Sequence, residues 1–165
     1  MSDDEIHGFD WGGQELNPEQ IKKVIQTQRT LRVGFAADGK VYVVVMGYAW
    51  FDDALNGITS AGRKLDMALA SPKVAFSIDT SGQTGPWNWH SVAGEGLFEV
   101  IRLPRAALQL TKFMAQPNRA KTPTWFKVST AKEVAAGNLV CWRIKPSLLT
   151  GRWLGSAEID APEPH

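Results

Sequence analysis

From Thr30 the chain alternates with a period of two: Leu31, Val33 and Phe35 are apolar, while Arg32, Gly34 and Ala36 between them are charged or small. Such alternation predicts a half-buried strand. Asp38-Gly39 follows, a dipeptide favoured in two-residue hairpins because both positions tolerate positive φ. The return stretch Val41-Tyr-Val-Val-Val-Met-Gly-Tyr48 is apolar at odd and even positions alike. Both of its faces therefore need cover: a barrel interior on one, and a partner, helix or ligand on the other. Asp52-Asp53 turns the chain into a third strand near 55–60. Val74, Phe76 and Ile78 mark a fourth strand ending at Asp79. Residues 88–101 make a long fifth, in which Gly94 and Gly96 predict a bulge or a close backbone approach. Val140, Trp142 and Ile144 share one face of a last strand over 139–145.

Elsewhere the period becomes helical. Asn17-Pro18-Glu19-Gln20 combines an Asn cap, a first-turn proline and Gln at the third position. With Ile21, Val24 and Ile25 it predicts a helix over 18–28. A second helix over 62–70 stops at Pro72, and a third runs from Pro104 to Met114. Thr130-Ala-Lys-Glu133 reads as a capping box for a short helix ending at Gly137. Residues 81–86 read as a Gly/Pro loop. Five or six successive antiparallel strands with outer helices predict a closed or nearly closed barrel, since closure removes exposed edges.

Length and composition narrow this further. The 165 residues predict one domain over 17–155, preceded by an extension at 1–16 anchored by Phe9 and Trp11 and followed by a disordered tail at 156–165. A chain of this size buries about 70% of its unfolded surface, enough for a core without staples. Eighteen basic against seventeen acidic residues give no footprint for nucleic acid or an acidic membrane. No apolar run approaches the ~20 residues of a membrane helix. The acidic N-terminus has no signal-peptide pattern, and Cys141 is the only cysteine, so the expectation is a cytoplasmic protein.

Several chemistries have no support. Neither phosphate-loop nor dinucleotide-loop spacing is present. Three histidines and one cysteine offer no metal-ligand spacing. His90 and Ser91 are neighbours on a strand and point to opposite faces, so they cannot pair as base and nucleophile. Cys141 lies mid-strand between Val140 and Trp142, where a packed thiol is expected.

One corner stands apart. Ile58-Thr-Ser-Ala-Gly-Arg-Lys64 ends a strand in two hydroxyls, a glycine and two cations, just where a helix begins. Cations there oppose the macrodipole, which favours acids by about 0.3–1 kcal/mol each. Free N–H groups, hydroxyls and two positive charges make an anion site, with phosphate the usual occupant. The alternative is that Arg63 and Lys64 are simply solvated.

The order of parts then becomes specific. Gly62-Arg63-Lys64-Leu65-Asp66, Pro72, Val74, Asp79, Ser91-Val92 and Gly96 resemble the FMN-binding split barrels related to pyridoxamine 5′-phosphate oxidase. The nearest likeness is to their small members close to the nitroimidazole-resistance type. The resemblance covers residues 20–101 well and the stretch Trp142–Pro146 loosely. It implies a mainly β, antiparallel six-stranded split barrel with flanking helices. It implies FMN, with its phosphate on Thr59, Ser60, Arg63 and Lys64 and its ring along the backbone of Val43, Val44, Val45 and Met46. Ser91 would present a polar group near the ring, with Trp89 on the same face. The flavin would lie between two subunits of a homodimer, to which Trp142 or Trp153 could contribute from the partner's half. Plain core packing is the competing reading for Trp89 and Trp142.

The departures are also informative. Pyridoxamine-phosphate oxidases carry Arg-x-Val-Leu-Leu-Lys on the second strand, where this chain has Met46 in place of the lysine. Ser91 stands for their glutamine, and their C-terminal Trp-x-x-x-x-x-Arg-Leu-His-Asp-Arg signature is missing. The expected activity is an FMN-dependent oxidation or reduction of a small molecule other than pyridoxamine phosphate. The alternatives are a non-catalytic flavin sensor or store, a related barrel using deazaflavin F420 or haem, and a cofactor-free carrier of apolar ligands.

Overall fold

The computed structural model describes residues 13–156 together with 158 and 159. The expected anchors Phe9 and Trp11 lie outside them, as does most of the expected tail. Ile159 is described, and it is buried in the main core.

The strands are β1 (Gln14–Glu15), β2 (Thr30–Ala37), β3 (Lys40–Gly47), β4 (Ala49–Phe51), β5 (Ala54–Ser60), β6 (Lys73–Asp79), β7 (Trp89–Ile101) and β8 (Leu139–Leu154). The helices are α1 (Pro18–Thr27), α2 (Arg63–Ala70), α3 (Ser81–Thr84), α4 (Arg105–Met114) and α5 (Thr124–Ala136). A 3-10 turn covers Pro117–Arg119. Seven strands follow the order β3-β2-β6-β7-β8-β5-β4, with β1 added to β8, and every pairing is antiparallel.

The mainly β architecture with outer helices agrees with the sequence pattern; the strand count does not. Among the described residues there are eight strands rather than six, and their sheet stays open, with β3 and β4 as its end strands. One added strand arises because Asp52 and Asp53 both take positive φ, 53° and 52°. That geometry makes a tight hairpin between β4 and β5, like the one at Asp38 and Gly39 (φ 52° and 72°). The last strand runs to Leu154, well past the expected end at 145. Pro146 reads as a stop in sequence, yet it sits opposite Gly96, at the register shift between Glu95 and Gly96. A bulge is a place where a strand tolerates proline. The expected capping box at Thr130 is absent: α5 already begins at Thr124, and the Thr130 hydroxyl donates to the Phe126 carbonyl at 2.8 Å. The expected loop at 81–86 contains the short helix α3.

The inner face of the sheet holds the main core. Leu31, Val33 and Phe35 of β2 meet Val74, Phe76 and Ile78 of β6, Val92 and Phe98 of β7, and Trp142 and Ile144 of β8. Val24 and Ile25 of α1, with Leu65, Met67 and Ala68 of α2, join this core. The capping box at α1 forms as the sequence predicts: Asn17 Oδ1 accepts from the Gln20 N–H at 2.9 Å, and Gln20 Oε1 from the Asn17 N–H at 2.9 Å. A second, smaller cluster of Ile101, Ala106, Leu110, Val134 and Cys141 lies under α4 and α5. No described helix is long and apolar enough to cross a membrane.

Candidate functional site

The end of β5 and the start of α2 form the corner singled out above. Thr59 is 7% exposed and Ser60 is exposed. Gly62 opens α2 at φ +142°, a conformation that an L side chain rarely adopts, and nothing lies within 4 Å of where its Cβ would be. No side chain caps this helix. The Leu65 and Asp66 N–H groups donate to the Gly62 carbonyl at 3.0 and 3.1 Å, which leaves the Arg63 and Lys64 N–H groups as the orphan donors at the positive end of the helix dipole. Arg63 and Lys64 follow at once, and neither forms an ion pair among the described residues. The Arg63 guanidinium carbon sits 4.7 Å from the centroid of the Tyr42 ring. That contact ties the corner to β3.

β3 is two-sided, as its sequence requires. Met46 is buried and Tyr42 and Val44 are partly buried against the main core. On the other face Val41, Val43 and Val45 are 71, 61 and 60% exposed. Register carries that outer face across the sheet: Val45 is opposite Arg32, Arg32 opposite Ser77, and Ser77 opposite Ala93. One step along, Val43, Gly34 and Ala75 form a parallel row. The result is an outer surface of valines and small side chains crossed by Arg32 and its ion pair with Asp79.

The predicted site residues fall into two groups. Thr59, Ser60, Arg63 and Lys64 share the end of β5 and the start of α2, and Arg63 reaches Tyr42 of β3, the strand that carries Val43, Val44, Val45 and Met46. Trp89 and Ser91, both half-buried, lie on β7, three strands away from β3. At about 4.8 Å per strand that is roughly 14 Å, so within one chain they do not adjoin a ring laid along β3. Ser91 is instead opposite Asp79 and Arg152. Asp79 accepts from Arg32 Nη1 at 2.5 Å, from the Ser81 N–H at 3.0 Å, and from the Ser81 hydroxyl. Burial pushes its pKa up, but Ser81 and Arg32 outweigh burial and hold the carboxyl below its ordinary value.

One side-chain expectation needs correction, and those for His90 and Cys141 agree with the structure. Trp142 is fully buried, stacked on Phe98 at 5.4 Å between centroids, and it fills the space beside Gly57. It is a core residue and cannot reach across to a second subunit. His90 is buried as well, on the face opposite Ser91, which leaves no exposed imidazole on β7. Cys141 is buried, its Sγ 3.7 Å from the Ala106 carbonyl, and burial pushes its pKa up to about 11.

Beside the corner the structure opens a cleft of about 620 Å³, which the sequence did not indicate. Thr59 and Ser60 of β5, Trp125 and Phe126 of α5, and Arg119 are among the residues that line it. The Arg119 Nη2 donates to the Tyr48 carbonyl at 3.2 Å, and the guanidinium lies 4.6 Å over the Phe113 ring. Nothing periodic marks Arg119, because it sits in the Pro117–Pro123 connection. Trp125 and Phe126 open a helix whose apolar residues are spread around its axis.

Comparison with known proteins agrees with the architecture. Residues 17–153 match the family model described as pyridoxamine 5′-phosphate oxidase. The chain belongs to this family of split-barrel proteins. Among solved structures, an FAD-binding protein from Mesorhizobium loti superposes with a TM-score of 0.67 at 25% identity, covering 86% of this chain and 98% of its own. A candidate 5-nitroimidazole antibiotic resistance protein from Bacteroides thetaiotaomicron gives 0.65 at 18% identity, covering 86% and 87%. An FAD- and haem-binding protein from Mycobacterium smegmatis gives 0.65 at 20%, covering 88% and 75%. No curated protein matches the chain significantly. Family and fold together support a flavin-binding protein.

Proposed function

We propose that this protein is a cytoplasmic homodimer that binds FMN non-covalently and oxidises or reduces a small molecule. The observation that carries the reading is the corner itself: two unpaired cations at an uncapped helix start that only a glycine can open. Its residues fit a phosphate. Thr59 and Ser60 would supply hydroxyls, the first turn of α2 backbone N–H groups, and Arg63 and Lys64 charge. Val43–Met46 would lie along the ring, apolar side chains and backbone polar groups together. A bound flavin supplies the electron chemistry; the chain binds it, orients it and shields it.

The second subunit is part of this reading. Exposed Val41, Val43 and Val45 beside Gly34, Ala75 and Ala93 offer an apolar, closely approachable face. Trp89 and Ser91 lie on the same side of the sheet, too far to serve their own chain's β3. Packing two such faces would bring one subunit's Trp89 and Ser91 towards the other's flavin.

The deciding experiment is the absorption spectrum of the purified protein, with mass spectrometry of whatever heat releases. FMN at one per chain is expected. A colourless protein that takes up no added FMN overturns the proposal, and released FAD would correct the identity of the flavin.

A further inference from the structure

The cleft between β5 and α5 has a chemistry of its own. Its base carries Arg119, whose Nε is buried without a hydrogen-bond partner. Arg29 lies close enough to repel it and also has a buried, unpartnered Nε. Neither arginine forms an ion pair among the described residues. Burial and the neighbouring Arg29 both disfavour the charged form of Arg119 and pull its pKa down. A buried donor without a partner and two like charges near each other each cost free energy, and an anion bound at Arg119 offsets the repulsion. Glu133 is the one acid among the cleft's lining residues, and its Oε2 accepts from the Asn138 side-chain amide at 2.8 Å. At the mouth Trp125 is 71% exposed and meets Phe126 edge-on at 5.8 Å between centroids. An exposed tryptophan on a concave wall suits stacking on a flat ligand.

We propose that this cleft binds a small organic carboxylate with a flat or apolar body: Arg119, backed by Arg29, receives the carboxylate, and Trp125 with Phe126 covers the body. Thr59 and Ser60 line both this cleft and the α2 corner. That shared wall sets the bound acid beside the proposed phosphate corner, a placement that rests on the flavin reading. The binding itself does not.

Benzoate is a suitable probe, titrated calorimetrically into the purified protein with its flavin bound and again after the flavin is stripped. Binding to both forms is expected, with no binding of benzyl alcohol, which lacks the charge. Arg119→Met should weaken benzoate about tenfold or more, Arg119→Lys less, and Trp125→Ala several-fold, while Arg63→Ala leaves it unchanged. Equal affinity in Arg119→Met, loss in Arg63→Ala instead, or no heat with either form overturns the proposal. Should Arg119→Met fail to fold, the Arg119 Nε–H resonance of the unaltered protein decides: it shifts on benzoate addition, or the proposal falls. A protein that binds benzoate at Arg119 but takes up no flavin separates the two readings cleanly.

Discussion

The two faces of β3 are built from nearly the same residue types and meet opposite fates. Inward, Tyr42, Val44 and Met46 close on the main core; outward, Val41, Val43 and Val45 stand mostly bare. Fully burying one such side chain is worth about 1.5–3 kcal/mol, so the outer face holds a gain that the described residues leave uncollected. A strand apolar on both sides announces that two covers exist. Among the described residues, only the inner one is supplied by the same polypeptide.

Breaking the inner face should have the largest effect. Trp142→Ala removes a fully buried ring stacked on Phe98 and should cost about 4 kcal/mol, read as a large drop in the chemical-denaturation midpoint. Breaking the outer face should leave the fold standing. The double change Val43→Glu with Val45→Glu is expected to give a monomer by analytical ultracentrifugation, with an unaltered far-ultraviolet spectrum and flavin lost. A dimer that survives would mean the outer face is covered by something else. At the corner bordering β3, Arg63→Ala and Lys64→Ala should each weaken FMN about tenfold in a fluorescence titration, with melting unchanged. The smallest effect belongs to Asp79, on the outer side of β6. Its carboxyl is held below its ordinary value near 3.8. Its contribution is therefore present above that value and lost as pH falls through the lower, folded one. Asp79→Asn should cost about 1 kcal/mol at neutral pH and flatten the acid limb of the stability curve.

Much of the sheet was legible because β2, β6 and β7 alternate cleanly, one face buried and one not. Asn17, Pro18 and Gln20 set the start of α1 by local chemistry alone. Legibility failed where tertiary context outweighs local signals. Pro146 does not end β8, because the bulge at Gly96 absorbs it. Thr130 does not cap a helix, because α5 starts six residues earlier behind Pro123. Trp142 looked available for an interface until its place over Gly57 was known: a Cβ there would come within 2.3 Å of the indole. At the site, Arg63 and Lys64 were readable because a motif holds them next to a helix start. Arg119 was not, because Tyr48 and Arg29 are far from it in sequence and meet it only in the folded chain.

Cys141 gives the molecule a reporter of its own opening. It is the single thiol of the chain, sealed beneath Ala106 of α4 and kept protonated by its surroundings. Capture by a disulfide reagent therefore waits until the layer of α4 and α5 lifts from β8. The rate of labelling measures how often that layer detaches, and comparing it with global unfolding tells whether the helices breathe apart from the barrel.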